Sequence, residues 1–349
     1  MRKYLLSSDG NNYKANLHTH STVSDGCWSP EKIKDEYQKK GYSIIAYTDH
    51  DVMVPHNDLS DENFLAITAT EIYINDNESV NTDHYVFKKV YHLNFLSKDP
   101  NKNTFPGWNE KFINPQKREK YVTAEMAQRQ EERHYDTDCV NDIIKRANEE
   151  GLLVTLNHPS WSIQDFTDYG ELKGLWGVEV HNTGCVVDSF LNDTTQPLDD
   201  LLRRAQPVVP LATDDNHNYP YPVDEHDSFG GWTVVKAKEL TYPAVMDALE
   251  KGDVYSSTGP EIKEIYIEDG VITVNTSPCR AIAVISENRF TRVVNATTSL
   301  LTTASLHVAP YFEQESQVVN NWSPYLRVEI VDDKGYHAWS RAYSLDELK

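Results

Sequence analysis

The sequence predicts an α/β chain built as a (β/α) barrel with a small β domain after it, and three observations lead there. Short apolar runs recur, several with helical segments between them, through the first two-thirds of the chain. Histidines and carboxylates stand in or just past those runs, and after about Gly259 the helical signals give way to short strand-like stretches. Alternation of strand and helix is the pattern of a parallel sheet covered by helices, and side chains gathered from several strand ends are how a barrel assembles a site.

The apolar runs are Ala15 to Leu17, Ser43 to Tyr47, Phe64 to Ala69, Val90 to Leu96, Leu152 to Leu156, Leu175 to Val180 and Pro207 to Ala212, seven strand candidates in all. The clearest helix between them has Ser29 as N-cap, Pro30 at its first position, apolar Ile33 and Tyr37 on one face and Gly41 as terminator. A second runs from about Asp138 to Gly151 with Val140, Ile143, Ile144 and Ala147 at helical spacing. Between about 97 and 136 the pattern lapses into polar sequence too long for an ordinary connection, a candidate lid or binding insertion whose alternative is solvated surface. Beyond Gly259, the stretches Ile262 to Ile267, Val271 to Val274, Ala281 to Ile285, Ser305 to Val308 and Leu326 to Val331, punctuated by Asp269-Gly270 and Asp333-Lys334-Gly335, read as short strands. The division expected is therefore a barrel over 1–258 and a β-sandwich-like domain over 259–349.

Composition narrows the function classes. The chain has 349 residues with 39% hydrophobic content, and no stretch approaches the roughly 20 apolar residues that span a bilayer. Its start has too short an apolar run for a secretory leader, so a cytoplasmic protein is expected. Cys27, Cys139, Cys185 and Cys279 are scattered without a paired motif, which argues against a zinc ribbon or a disulfide framework and for buried or semi-buried thiols. The net charge of -21 repels polyanions, so long nucleic acid is disfavoured. A small phosphorylated molecule stays compatible, because bound divalent ions would reverse the local potential. The oligomeric state is not legible.

The residues that could carry chemistry follow from strand spacing. His18 and His20 share one side of an extended chain and can reach one ion. Asp25, His50, Glu71, His92, His158 and the pair Asp215 and His217 lie in or beyond later apolar runs. Glu71 closes the run FLAITATE, where a carboxylate is costly unless cations meet it, which suggests a bridging position. His92 lies inside its run, where a core imidazole is the competing reading, with His84 as the fallback ligand. His158 is restrained by Pro159, and parity with His217 favours Asp215 over Asp214. Arg129, Arg133 and His134 in the insertion could meet a phosphate or protonate a leaving group, against a solvated helix face as the alternative. Trp161 could stack on a ring or simply pack.

In order, the segments NLHTHSTVSDG, YTDHD, ATEIY, YHLNFL, NHPSW and ATDDNH resemble the polymerase and histidinol phosphatase (PHP) superfamily of metal-dependent phosphoesterases over roughly residues 14 to 258. The resemblance implies a distorted seven-stranded (β/α) barrel with two or three divalent metals, zinc, manganese or iron. Carried over by position, one metal would take His18, His20, Glu71 and Asp215, and a second would share Glu71 and add His92 and His158. A third would take Asp25, His50 and His217. YHLNFL departs from the family's usual glycine on that strand. The segments YSSTGPEI and LRVEIVDDKGYHAW are similar to the carboxy-terminal region of the branch with carbaryl-hydrolase-like members.

The expected function is hydrolysis of a small phosphorylated metabolite or nucleotide by a metal-held hydroxide, with no catalytic side chain beyond the metal ligands. A phosphodiesterase is a variant of this reading. The alternatives are a carboxylic or carbamic ester hydrolase on the same metals, and a metal-stabilised accessory module without turnover.

Overall fold

A computed structural model describes residues 2–76, 88–192, 194–220, 226–313 and 323–349. His84 lies outside these residues. The strands are β1 (Lys3–Leu6), β2 (Asn11–Asn16), β3 (Tyr42–Tyr47), β4 (Leu65–Asn75), β5 (Val90–Ser97), β6 (Leu152–Leu156), β7 (Gly177–Asn182), β8 (Val209–Thr213), β9 (Trp232–Ala237), β10 (Val254–Ser257), β11 (Ile262–Glu268), β12 (Val271–Cys279), β13 (Ala281–Ser286), β14 (Arg292–Asn295), β15 (Leu301–His307), β16 (Tyr325–Val331) and β17 (His337–Ser344).

Strands β2 to β8 lie side by side in chain order. They pair in parallel except where β5 runs antiparallel to both β4 and β6. Strands β5, β6 and β8 are buried along their whole length, as expected of sheet covered on both faces. The arc bends back on itself just past its first and last strands: Asp215 N donates to His18 O at 2.9 Å and His20 N to Asn216 O at 3.1 Å. These two bonds bring the exit of β2 against the exit of β8, which sets His18 and His20 beside Asp215.

The helices obey the local signals. One spans Pro30–Lys39, its N-cap Ser29 side chain accepting from Lys32 N, and buries Ile33 and Tyr37. Another spans Thr137–Glu149, capped by Asp136, and buries Val140, Ile143, Ile144 and Ala147. The segment between β5 and that helix folds as an α-helix at Pro115–Tyr121 flanked by short turns at Glu110–Phe112 and Met126–Gln128. Phe105, Trp108 and Met126 are fully buried in the main core, while most of residues 110–136 stay exposed or half-buried.

Two features differ from the sequence division. The amino-terminal β1 pairs with β11 in a four-stranded sheet β1-β11-β12-β15, so the first residues serve the later sheet rather than the arc β2 to β8. The larger sheet also continues without a break from β2 through β9 and β10 to β17, β16, β13 and β14. Strand β10 is the hinge of that continuity, pairing with β9 on one side and β17 on the other. Pairing of this kind removes exposed edges that an isolated arc would leave. Strands β1, β9, β10, β14 and β17 were outside the expected set because their apolar patterns are short or mixed with Lys, Arg and Ser. Cys27 is exposed, not buried or semi-buried as expected, while Cys139 is half-buried and Cys185 and Cys279 are buried. Among the described residues no helix is long and apolar enough to cross a membrane.

A buried ion pair ties β16 to the arc. Arg327 is 2% exposed and donates from Nε and Nη2 to the two oxygens of Asp199, both at 2.8 Å, while Tyr325 Oη donates to Asp199 at 2.7 Å. Asp199 sits on the helix Gln196–Arg203, which packs against β7. Arg327 Nη1 also donates to Glu329 at 2.8 Å, so removing Asp199 leaves the guanidinium with one carboxylate instead of two. Asp199→Ala is expected to destabilise the fold by about 2 kcal/mol, read as a shift in the urea midpoint, with Asp199→Asn less affected; an unchanged midpoint would contradict the clamp.

Candidate metal centre

The site starts at the exit of β2. Asn16 anchors it: its Nδ2 donates to Thr19 Oγ1 at 2.8 Å and to Asn216 Oδ1 at 3.1 Å, and its Oδ1 accepts from Asp214 N at 3.0 Å. His18 and His20 follow, both fully buried, with their Nε2 atoms 3.2 Å apart. From β4, Glu71 reaches both: Oε1 is 3.2 Å from His18 Nε2 and Oε2 is 3.3 Å from His20 Nε2. Asp215 Oδ1 completes the group, 3.1 Å from His18 Nε2 and 3.0 Å from His20 Nε2.

Three further groups share members with the first, one of them His18, His158 and Glu179. Glu71 Oε1 lies 3.0 Å from His92 Nδ1 and 3.5 Å from His158 Nε2. At the outer rim, exposed Asp25 meets His50 Nε2 at 3.7 Å, His217 Nε2 at 3.5 Å and His20 Nδ1 at 3.8 Å. The structure thus brings His18, His20, Asp25, His50, Glu71, His92, His158, Asp215 and His217 into one cluster, in groups whose donor atoms lie within 4.8 Å of one another. The third group differs from its expected membership by including His20 as well as Asp25, His50 and His217.

Several features of this cluster fit divalent ions. Asp215 Oδ1 is buried and has no partner in hydrogen-bonding geometry, although His18 Nε2 and His20 Nε2 lie 3.1 and 3.0 Å from it. The buried Nδ1 atoms of His20 and His50 are likewise unpartnered. Burial opposes charge on His20, but Asp215 and Glu71 overcome it and hold the imidazole up at about 10. Burial pushes His50 down to about 3, helped by the neighbouring His20 and His92. Glu71 is held well below the carboxylate range despite its burial, by His92, His18 and His158. The carboxylates therefore draw positive charge into the cluster, and nitrogen and oxygen donors of this kind suit zinc, manganese or iron.

The surrounding shell fixes the donors. Glu179 from β7 accepts from His18 Nδ1 at 2.8 Å, from Thr213 Oγ1 at 2.6 Å, from Asn182 Nδ2 at 2.9 Å and from His158 N at 2.8 Å. Donation from Nδ1 leaves the His18 Nε2 lone pair facing the cluster. Asp49 accepts from the backbone and hydroxyl of both Ser21 and Ser24, between 2.8 and 3.1 Å, and so shapes the turn that carries Asp25. That turn also requires Gly26, where an added Cβ would lie 2.4 Å from His20 O. Asp214 points away from the cluster and accepts from Tyr37 Oη, Thr183 Oγ1 and the backbone of Phe229, Gly230 and Gly231. Burial pushes its carboxyl up to about 6 against those donors.

Two members of the cluster have left-handed backbones, His158 at φ 29° and Asp215 at φ 50°. Such conformations cost on the order of 1–3 kcal/mol each and persist where the surroundings over-determine them. Here the bonds from His158 N to Glu179 and from Asp215 N to His18 O do so.

Of the four suggested substrate contacts, only Trp161 lines the cavity of about 240 Å³ over the cluster, with its ring centroid 5.6 Å from that of His92 and 5.1 Å from that of His158. Arg133 is instead buried in the insertion, its guanidinium donating to Asp51 Oδ1, Gly107 O and Tyr73 O. Arg129 is paired with Glu150 at 2.9 Å, and the backbone of exposed His134 donates to Cys139 Sγ at 3.3 Å. These three side chains do not line the cavity over the cluster. Glu179, Asp49 and Asn157, whose Nδ2 donates to Glu71 Oε1 at 2.7 Å, escaped the sequence reading. Glu179 carried the same signal as Glu71, a carboxylate inside an apolar run.

Glu179→Gln is expected to keep the fold and weaken zinc or manganese retention by roughly 10- to 100-fold, measured by competition with a chromophoric chelator. Retention equal to wild type would remove Glu179 from the ligand-orienting shell.

No family model and no curated protein matches the chain. Among solved structures, it is similar to a two-domain protein containing a predicted PHP-like metal-dependent phosphoesterase from Bacteroides vulgatus, at 15% identity and TM-score 0.42, covering 97% of this chain and 96% of that one. It is also similar to an amidohydrolase from Chromobacterium violaceum with bound sulfate and no metal, at 14% identity and TM-score 0.40, covering 69% of this chain and 96% of that one.

Proposed function

We propose that this protein is a metal-dependent hydrolase of small phosphomonoesters. One observation carries the reading: nine imidazole and carboxylate side chains from far-apart segments meet around the buried Glu71 beneath an open cavity. Divalent ions held there would supply activation of water and the positive charge that offsets a phosphoryl group. The two oxygens of Glu71 face different histidines, Oε1 toward His92 and His158 and Oε2 toward His20 and His50, which suits a carboxylate shared between ions.

The chain's own residues supply position and shape. Trp161 closes the cavity on the side of His92 and His158, and Tyr219 stacks on His217 at 5.6 Å on another. Ser162 lies 3.1 Å from His158 Nδ1 and sets that ring's orientation. Among the described residues no Lys or Arg lines this cavity, whereas Asp25, Glu71, Asp188 and Asp215 do, and Lys111 and Lys117 line the adjoining cavity. Two or three divalent ions would leave a ligand set with three carboxylates net positive, so an anionic substrate would meet positive charge from bound cations and from those lysines. That balance favours a phosphate dianion over a neutral carboxylic or carbamic ester. We further read the arc β2 to β8 as a distorted seven-stranded barrel with the later sheet appended, and long nucleic acid as disfavoured by the net charge of -21.

Metal-loaded protein is expected to hydrolyse small phosphomonoesters and to lose that activity on chelation. His18→Ala and Glu71→Ala should lose bound metal and activity together, the latter by more than the roughly 100-fold typical of outer-shell changes. Full activity in demetallated protein would contradict the proposal, and turnover of aryl carboxylic esters without phosphoesters would replace it with the ester-hydrolase reading.

A further inference from the structure

A second cavity, of about 620 Å³, opens beside the candidate centre and shares Asp25, His50 and His92 with the cavity over the cluster. Its volume falls within the range of about 300–1,000 Å³ typical of small-molecule sites, whereas the 240 Å³ over the cluster suits a phosphoryl group and little more. The far wall is aromatic. Tyr73 and Phe112 meet edge to face, centroids 5.6 Å apart at 79°, and form a corner in which the Phe112 ring also carries the Lys111 ammonium at 5.1 Å. Val23, Val52 and Ile113 continue the apolar lining, and Asn75, Asn114, Lys111 and Lys117 supply polar groups to the same cavity.

This wall is held in place. Arg133 lies over the Phe112 ring at 4.0 Å while its Nη1 donates to Tyr73 O at 2.9 Å and its Nε to Gly107 O at 2.7 Å. Trp108, fully buried, donates to Asp51 O at 3.1 Å, next to His50. The insertion is thus fixed to the rim of the centre by buried bonds, and a ligand entering the corner need not order it first.

We propose that this corner is the subsite for an aromatic leaving group, so that the preferred substrates are phosphomonoesters of ring-bearing alcohols or phenols. The proposal rests on the phosphoester reading for where the phosphoryl end sits. An aromatic ring fills a perpendicular corner with one face and one edge, the arrangement aromatic pairs prefer, while a short alkyl group leaves it empty.

The test is calorimetric binding of two non-hydrolysable probes, benzylphosphonate and methylphosphonate, to manganese-loaded protein. Wild type is expected to bind the benzyl compound roughly 10- to 100-fold more tightly, the size of discrimination an apolar pocket gives. In Phe112→Ala the ratio should fall below about threefold, while Trp161→Leu, on the other side of the centre, keeps it. If Phe112→Ala does not fold, Phe112→Leu and Tyr73→Leu take its place. A wild-type ratio near one, or a ratio lost in Trp161→Leu and kept in Phe112→Ala, overturns the subsite and leaves the phosphoester reading intact. Should neither phosphonate bind, that reading fails instead, and 3-hydroxybenzyl alcohol then decides the subsite: binding lost in Phe112→Ala supports it, and no binding to wild type overturns it.

Discussion

A carboxylate buried among imidazoles organises this molecule. Glu71 is 1% exposed, and its oxygens face His18, His92 and His158 on one side and His20 and His50 on the other. Taking such a charge out of water is expensive unless opposite charge meets it. The imidazoles alone meet it awkwardly, with unpartnered atoms on His20, His50 and Asp215. Cations between these groups would satisfy all of them at once, and the rest of the architecture can be understood as what keeps the donors close enough for that.

The sheet does this by direction. Parallel strands send their carboxyl ends to one side, so residues separated by up to two hundred positions in sequence, such as His18 and Asp215, arrive within about 3 Å of each other. The antiparallel β5 breaks the rhythm but delivers His92 opposite Tyr73 on β4, which sets the ring beside Glu71. A layer of buried acceptors then holds the donors: Glu179 behind His18, Asp49 behind the Asp25 turn and Asp214 behind the chain leaving β8. The insertion is part of the same construction, since Arg133 and Trp108 both grip Asp51, the neighbour of His50.

Much of this was legible in the sequence because the ligands sit where apolar runs stop, and strand periodicity alone put His18 and His20 on one side. The order of the runs also anticipated the order of the strands in the arc. What was not legible depends on long-range pairing. Nothing local in Lys3–Leu6 says that it will pair with β11, and β10 is too short to announce that it joins two regions of sheet. Arg133 read as a substrate contact because a charged residue in a polar segment resembles solvated surface; only its burial against Asp51 reveals a structural role. Glu179 was overlooked because its neighbours Val178 and Val180 made the run look like plain core.

The account turns on whether cations occupy the space between these side chains. A crystal of the protein grown with manganese or zinc and measured at the metal's absorption edge tests that directly. Two or three anomalous peaks are predicted, with Glu71 contacting more than one of them and His18 still bonded to Glu179. An anomalous map with no peak among the nine side chains, or with metal bound only elsewhere on the surface, would contradict it.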